Sequence, residues 1–187
     1  MTGIFIRIDD EAVTGQLQRL EDAAGDMQPA MAAIGAAMLQ STQRRFERET
    51  GPDGKKWAPL RPRTAAARIG RGRRGTANIL RVSTRLYQSL TFEASNTEAR
   101  VGSNVVYAAI HQLGGAIDMP ERQQTIHLST GKRKRFVRSA AKRKESRAVT
   151  IGAHQVRMPA RPYLGIDQAD RDTITSIVAD HFAEAAR

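Results

Sequence analysis

Two prolines three residues apart, Pro159 and Pro162, constrain the fold of this chain more than any other feature. Each proline fixes φ at about −65° and removes a backbone donor, so the residues around them cannot continue a helix. The sequence therefore predicts an extended segment here, in which Tyr163 and Leu164 supply apolar anchors. Gly165 then frees the backbone just before a predicted C-terminal helix.

Two segments upstream combine turn residues with apolar anchors. The stretch 51–60 (GPDGKKWAPL) begins as a β-turn, with Pro in the second position and Gly in the fourth. Trp57, the only tryptophan, and Leu60 are expected to pin this loop to the body of the protein. The stretch 107–115 (YAAIHQLGG) predicts a short helix that its two final glycines end through a left-handed cap.

In this order, the three segments resemble the virion-morphogenesis, or tail-completion, family of tailed bacteriophages, including the neck or tail-completion proteins of Mu-like phages. The resemblance runs from about residue 40 to the C-terminus, with an interruption between residues 118 and 155. Residues that match the family's motifs are expected to have structural roles. They are Gly54, Trp57, Pro59, Leu60, Tyr107, His111, Gly114, Gly115, Pro159, Ala160, Arg161, Pro162, Tyr163, Leu164 and Gly165.

The resemblance implies a mixed α and β fold that assembles as a cyclic oligomer and joins or completes the phage tail. The partners it implies are copies of this chain, neighbouring neck, tail or portal-adaptor proteins, and packaged double-stranded DNA bound without sequence specificity. The protein is then expected in the virion, at the head–tail junction or tail, and in the host bacterial cytoplasm during assembly.

Length and composition predict one soluble domain over residues 1–187, with room for one protruding segment. The absence of cysteine excludes disulfides, thiolate chemistry and Cys-based zinc sites, and it fits a reducing cytosol. The N-terminus turns acidic after an alternating apolar run, unlike a signal peptide. The longest nearly uncharged stretch, 27–43, is rich in Ala and carries Gln and Thr, so no membrane span is expected.

The formal net charge of +11 is concentrated in two middle windows between acidic ends. Residues 55–85 contain ten bases and no acid, and residues 132–147 contain nine bases and one acid. This asymmetry indicates a polyanion or an acidic protein face as partner, against the plainer interpretation of a solvated surface. The residues expected to face that partner are Arg71, Arg73, Arg74, Lys132, Arg133, Lys134, Arg135, Lys142, Arg143 and Lys144.

The fold class expected is α+β: a small mixed sheet packed by several helices, with a protruding basic arm and a C-terminal amphipathic helix. Alternating apolar residues predict a strand at 4–8. Asp9 or Asp10 is a candidate cap for a following helix, which carries Val13, Leu17 and Leu20 on one face.

Two long helical patterns flank the three motif segments. The first turns Met31, Ile34, Met38 and Phe46 toward the core, and Arg44, Arg45 and Arg48 near its end complement the helix dipole. The second is capped by Asp167 and has Asp170 in its first turn. Its apolar stripe consists of Ile174, Ile177, Val178, His181 and Phe182.

Two basic segments interrupt this pattern. Residues 61–75 interleave Gly with Arg and cannot bury themselves, so a mobile basic loop is expected there. Residues from about 118 to 155 depart from the family pattern and are expected to form an inserted basic arm. Within it, residues 125–128 and 148–151 are candidate paired strands around a basic tip, and an arm that orders only on assembly is the alternative.

The sequence contains no recognisable catalytic constellation, so we expect neither enzymatic activity nor a cofactor. His111 is expected to be buried and hydrogen-bonded to backbone, in preference to acting as a base in a nuclease or toxin. His127 and His154 are candidates to face each other across the paired strands. Two histidines without a third ligand are a weak basis for a metal site, and none is expected.

The resemblance and the charge pattern together favour a ring component of the virion, whose basic loops face DNA or an acidic neighbour. The alternative is a stand-alone nucleic-acid-binding protein that uses the basic arm, which explains the charge but not the three motif segments. The first hypothesis predicts discrete rings. The second predicts a monomer or dimer whose tight binding weakens steeply as salt rises.

Overall fold

Helices and antiparallel strand pairs make up the computed structural model, which describes residues 10–69, 78–130 and 133–187. The predicted α+β class is confirmed. The helices are α1 (Glu11–Gly25), α2 (Gln28–Arg48), α3 (Pro62–Ile69), α4 (Arg85–Gln88), α5 (Ala108–Leu113) and α6 (Gln168–Ala185). The strands are β1 (Leu90–Ala94), β2 (Ala99–Ser103), β3 (Gly115–Met119), β4 (Arg122–Ser129), β5 (Lys144–Ile151) and β6 (His154–Met158). The strand predicted at 4–8 lies outside the described residues.

The described strands form three separate antiparallel pairs, β1–β2, β3–β6 and β4–β5, and not the small mixed sheet that was expected. Antiparallel neighbours need only a short turn, whereas a parallel pair needs a crossover of a dozen or more residues. Ala94 pairs with Ala99, so only residues 95–98 separate β1 from β2. The sequence leaves no room for a crossover there.

Contacts divide the described chain into two units. The first, which we call the body, comprises Met1–Leu113 and Ala160–Arg187. The second comprises Gly114–Pro159 and contains the pairs β3–β6 and β4–β5. No helix in the described parts of either unit is long and apolar enough to cross a membrane.

Helix α2 crosses the body and supplies much of its interior. The predicted core positions Ile34 and Phe46 are confirmed, since both are buried, whereas Met31 and Met38 are only half-buried. Gly35 is also buried, and a Cβ added to it would lie only 2.5 Å from the ring of Phe92 on β1. The small residue therefore lets the helix approach the strand closely. The helix ends at Arg48, and the capping residue Glu49 adopts a left-handed conformation with φ of 54°.

The hydrophobic core is built around the fully buried ring of Phe46. Trp57 meets this ring edge-on with 5.3 Å between centroids, and Tyr163 lies against it at 4.9 Å. The predicted anchoring of the loop by Trp57 is confirmed, because Trp57 is buried in this cluster. The other buried members are Ile79, Leu86, Leu90 and Ala108.

The prediction of a mobile loop over residues 61–75 is wrong for residues 62–69, which form α3. Pro62 suits the first turn of a helix, and the run Thr64-Ala-Ala-Ala67 has high helix propensity. Backbone N–H groups of Thr64 and Ala65 both donate to the carbonyl of Arg61. Residues 70–77, which include Arg71, Arg73 and Arg74, lie outside the described residues.

The second unit is a two-stranded ribbon formed by residues 115–129 and 144–158. Residues 125–128 and 148–151 lie on the paired strands β4 and β5, as predicted, although the observed register places residues 125–128 opposite 145–148. Met119 pairs with His154, and Arg122 pairs with Ile151, so one register continues across the break between the two strand pairs. None of the described residues of this unit is buried. The ribbon therefore lacks a core of its own.

Candidate assembly site

The three segments singled out in the sequence converge on one another inside the body. Residues 159–165 form neither helix nor strand, as their prolines predict. The amide side chain of Gln112, on α5, accepts hydrogen bonds from the backbone N–H groups of Tyr163 (2.9 Å) and Leu164 (3.0 Å). It also donates to the Leu164 carbonyl (2.9 Å). One side chain thus supplies the partners that an irregular segment otherwise lacks.

The tryptophan loop holds the same segment from a second side. The indole N–H of Trp57 donates to the Pro162 carbonyl at 2.7 Å. The buried side chain of Arg161 donates in return to the carbonyls of Ala58 (2.9 Å) and Pro59 (3.4 Å). The backbone N–H of Arg161 donates to the His111 carbonyl at 2.8 Å. Arg161 therefore connects all three motif segments.

Tyr163 is the buried anchor of the segment, with only 1% of its surface exposed. Its hydroxyl donates to the Ala108 carbonyl at 3.1 Å. Burial raises the pKa of the phenol, because the charged form is disfavoured away from water. Tyr163 is accordingly a neutral hydrogen-bond donor over the physiological pH range.

Arg45 links α2 to the start of α6 from a buried position. Its guanidinium donates to the carbonyls of Gly165 (2.6 Å) and Tyr163 (3.3 Å). It also forms ion pairs with Asp167 (3.0 Å) and with the buried carboxylate of Asp170. The two aspartates make the predicted capping box of α6, since each accepts from the other's backbone N–H.

Sequence reasoning assigned Arg45 only to the dipole of α2 and missed this role. Thr42, one helical turn before Arg45 on the same face, is buried as well. The Asp170 backbone N–H lowers the pKa of Asp167 most, and Arg45 lowers it further. The Asp167 carboxyl therefore stays charged at neutral pH.

His111 packs against the edge of the Tyr107 ring, with 5.7 Å between ring centroids. The expected ring-to-backbone hydrogen bond is wrong for its Nδ1, which is buried and has no partner among the described residues. The imidazole is half-buried, and the backbone carbonyl of His111 accepts from the Arg161 N–H. Desolvation lowers the pKa of His111, and the positive charge of Arg161 lowers it further. The ring is therefore neutral in the folded body.

We expect the stability of the body to fall as the pH drops below about 6.5, because the unfolded chain then binds a proton that folded His111 excludes. The contribution is fully present above that value and is lost as the pH falls toward the lower folded pKa. Replacing His111 with Gln should flatten the dependence of Tm on pH between about pH 8 and pH 5.5. His154→Gln, at an exposed position, is the control and should keep the wild-type slope. Equal slopes in all three proteins would contradict this assignment.

The remaining motif residues form turns or lie at or near the surface. Gly54 has a φ of 74° within the predicted 51–54 turn, which is confirmed by the hydrogen bond from its N–H to the Gly51 carbonyl (3.0 Å). Leu60 is half-buried against the core. Pro59, Pro159 and Ala160 are exposed.

Three further glycines of the motifs adopt backbone conformations that other residues rarely adopt. Gly114 and Gly115 have φ values of 70° and 138°, so the predicted left-handed end of α5 is confirmed. Gly165 has a φ of 155°, and a Cβ there would lie 2.6 Å from Pro52. A side chain at Gly165 would therefore separate the turn from the segment that contacts it.

Six of the ten bases predicted to meet a polyanion lie at the end of the ribbon, in the described part of residues 130–143, which we call the tip, and at the adjoining Lys144. Those described are all exposed: Arg133, Lys134, Arg135, Lys142, Arg143 and Lys144. Lys134 pairs with Glu145 at 2.5 Å, and this hydrogen bond lowers the pKa of the Glu145 carboxyl. Lys132 lies outside the described residues.

The expectation that His127 and His154 face each other is wrong. His127 is paired with Ser146, whose hydroxyl lies 2.8 Å from Nδ1, and His154 is paired with Met119. The register is set by the pairing of Ser129 with Lys144 beside the tip, which offsets the two histidines along the ribbon. Among the residues in described positions, no group of three or more His, Cys, Asp or Glu side chains could hold a metal ion.

Comparison with known proteins shows the family to which the chain belongs. The sequence profile of the phage virion morphogenesis family matches residues 8–183, and the chain belongs to that family. It is similar to the putative capsid assembly protein G of Escherichia phage Mu, with 29% identity over 82% of this chain and 78% of the relative. It is also similar to the Mu-like prophage FluMu G protein 2 of Haemophilus influenzae, with 32% identity over 56% of this chain and 65% of the relative. No solved structure matches.

Family membership gives the chain a role in the assembly of phage particles and associates it with other virion proteins. Several residues that carried the resemblance, among them Trp57, Arg161 and Tyr163, make internal contacts of the body. Their chemistry is therefore that of packing and hydrogen bonding.

Proposed function

We propose that this protein is a structural component of the virion that forms a ring at the head–tail junction or the proximal end of the tail. It joins the head to the tail, or completes the tail, by fitting against copies of itself and against neighbouring neck, tail or portal-adaptor proteins. It acts by binding and not by catalysis. The observation that carries the proposal is a ribbon without buried residues whose end bears a dense group of exposed bases.

The ribbon supports assembly because it is incomplete alone. An isolated two-stranded hairpin is marginally stable in water and needs another surface against which to bury its apolar side chains. Its half-exposed apolar residues include Ile126, Val149 and Ile151. A neighbouring protein in a particle supplies such a surface.

The basic tip supports contact with a negative partner. Ring symmetry multiplies its charge and gives an electropositive surface that can contact double-stranded DNA through phosphates without reading its sequence. An acidic face of a neighbouring protein satisfies the same charges. Both partners remain consistent with the bases at positions 133–135 and 142–144.

Replacing the tip, residues 130–143, with an Asn-Gly turn tests the proposal. Ser129 and Lys144 are paired, so a two-residue turn can close the ribbon there. The change removes seven bases and no acid, and it lowers the formal net charge from +11 to +4. We expect the Tm of the body to change by no more than about 2 °C, because no described residue of the tip is buried. We also expect the variant to fail to restore infectious particles when it replaces the wild-type protein.

Electron microscopy of the particles and the oligomeric state of the purified chain separate the alternatives. Heads beside unjoined tails, together with a ring-forming wild-type chain, support the proposed role. A wild-type monomer or dimer that binds DNA tightly, with affinity falling steeply as salt rises, would favour a stand-alone nucleic-acid-binding protein instead. Normal particles assembled with the tip variant would show that the tip is not needed for joining the head to the tail.

A further inference from the structure

Helix α1 presents an apolar row that no described residue covers. None of its fifteen residues is buried, and the side chains of Val13 and Leu17 are 56% and 61% exposed. The helix contacts α6 through a different side, where the Arg19 Nε donates to the Ala185 carbonyl at 3.2 Å. Val13 and Leu17 are four residues apart and therefore lie side by side on the outer face.

The border of this apolar row is acidic. Glu21 follows Leu17 by one turn, and Asp10 precedes Val13 by three residues, so both lie beside the row. Both are exposed. Further acids of the helix and its ends are Glu11, Asp22 and Asp26, against the single base Arg19. We call Val13, Leu17 and the flanking Asp10 and Glu21 the α1 face.

The β4–β5 pair presents the complementary combination. Side chains alternate between the two faces of a ribbon, and directly paired residues share a face. Ile126, Leu128, Val149 and Ile151 fall on one face by this rule. Phe136, 78% exposed, joins them because it bridges to Leu128. His127 and Ser146 are hydrogen-bonded to each other on the opposite face.

The same ribbon face carries two exposed arginines. Arg122 is paired with Ile151, and Arg147 is paired with Ile126, so both lie among the apolar side chains. The only acid on this face, Glu145, is already paired with Lys134. We call these arginines and the apolar residues around them the ribbon face.

We infer that the ribbon face of one copy docks on the α1 face of a second copy. The inference rests on the proposed self-assembly and names the two surfaces that meet. Each is a row of apolar side chains flanked by charge, and the flanking charges have opposite signs. Because the surfaces differ, the contact is head-to-tail and repeats until a ring closes. DNA does not fit the ribbon face as well, since phosphates give apolar side chains nothing to bury against.

Charge reversal with mixing tests the inference. Native mass spectrometry should show that Asp10→Lys with Glu21→Lys disrupts the wild-type oligomer, raising the concentration for half-assembly at least about tenfold. Arg122→Glu with Arg147→Glu should do the same. An equimolar mixture of the two double variants should reassemble, because each reversed face then meets an opposite charge. The mixed oligomers should contain even numbers of copies in alternation.

Controls separate the contact from general effects of charge and folding. Arg63→Glu with Arg85→Glu changes the charge by the same amount as the Arg122 and Arg147 double variant. Both positions are exposed on the body, so this control should leave assembly unchanged. Leu17→Ser should weaken assembly without lowering the Tm of the monomer, whereas Val106→Ser, at a side chain 98% exposed, should affect neither. A fall of several degrees in the Tm of the Leu17→Ser monomer would mean that the chain's own residues cover this row, and would overturn the inference.

The outcomes also distinguish this inference from the proposed function. A wild-type chain that stays monomeric at every concentration overturns both. If the wild type assembles and the double variants assemble equally well, the docking surfaces are wrong while the ring proposal survives. The same holds if both double variants dissociate and their mixture does not reassemble.

Discussion

Replacing Arg45 with Ala should be among the most destabilising single substitutions in the chain, lowering the free energy of unfolding by about 3–5 kcal/mol. The change leaves the buried Asp170 carboxylate without its cation and removes the donors to the Gly165 and Tyr163 carbonyls. Uncompensated buried charge costs more than the ion pair itself contributes. For a chain of this length, the loss corresponds to a fall in Tm on the order of 10 °C.

The neighbouring residue offers a matched control for this prediction. Arg44 lies on the exposed side of the same helix, so Arg44→Ala should change stability by no more than about 0.5 kcal/mol. Arg45→Met combined with Asp170→Asn should lose less than the sum of the two single changes, because the pair then disappears together. Additive losses in urea unfolding would show that the two side chains are not coupled.

Replacing Tyr163 with Ala should cost about 3–5 kcal/mol for a different reason, the cavity left beside Phe46. The side chain is almost fully buried and anchors the segment between the tryptophan loop and α5. Tyr163→Phe keeps the ring and removes only the hydroxyl that reaches Ala108, so it should cost about 1 kcal/mol.

An aromatic residue on the ribbon provides the comparison for Tyr163. Phe136→Ala removes a ring that is 78% exposed and should leave the free energy of unfolding within about 0.5 kcal/mol of wild type. Chemical unfolding monitored by the fluorescence of Trp57 measures all three variants. A small effect of Tyr163→Ala would mean that the segment 159–165 is held mainly by its hydrogen bonds.

The parts of the fold that local chemistry determines could be predicted from the sequence. The Gly51–Gly54 turn, the glycine end of α5 and the capping box at Asp167 each depend on residues within one turn of the chain. The strands β4 and β5 were predicted from β-branched residues on either side of a basic stretch. The α+β fold class was predicted from these helix and strand patterns together.

Contacts between distant residues could not be predicted in the same way. Arg45 and Asp170 stand 125 positions apart, and no local pattern pairs one arginine of α2 with that carboxylate. Gln112 reads as an ordinary polar helix residue until the segment 159–165 lies beside it. The helix α3 was missed because the Gly-Arg composition of the whole stretch outweighed the helix propensity of its first half.

The hydrogen bond between the Arg161 backbone and the His111 carbonyl makes the points where the chain leaves and re-enters the body immediate neighbours. A segment that starts and ends at neighbouring points can be lengthened, shortened or replaced without rethreading the rest of the chain. Mutations in the ribbon can therefore change the surface it offers to a partner while the packing of the body stays the same.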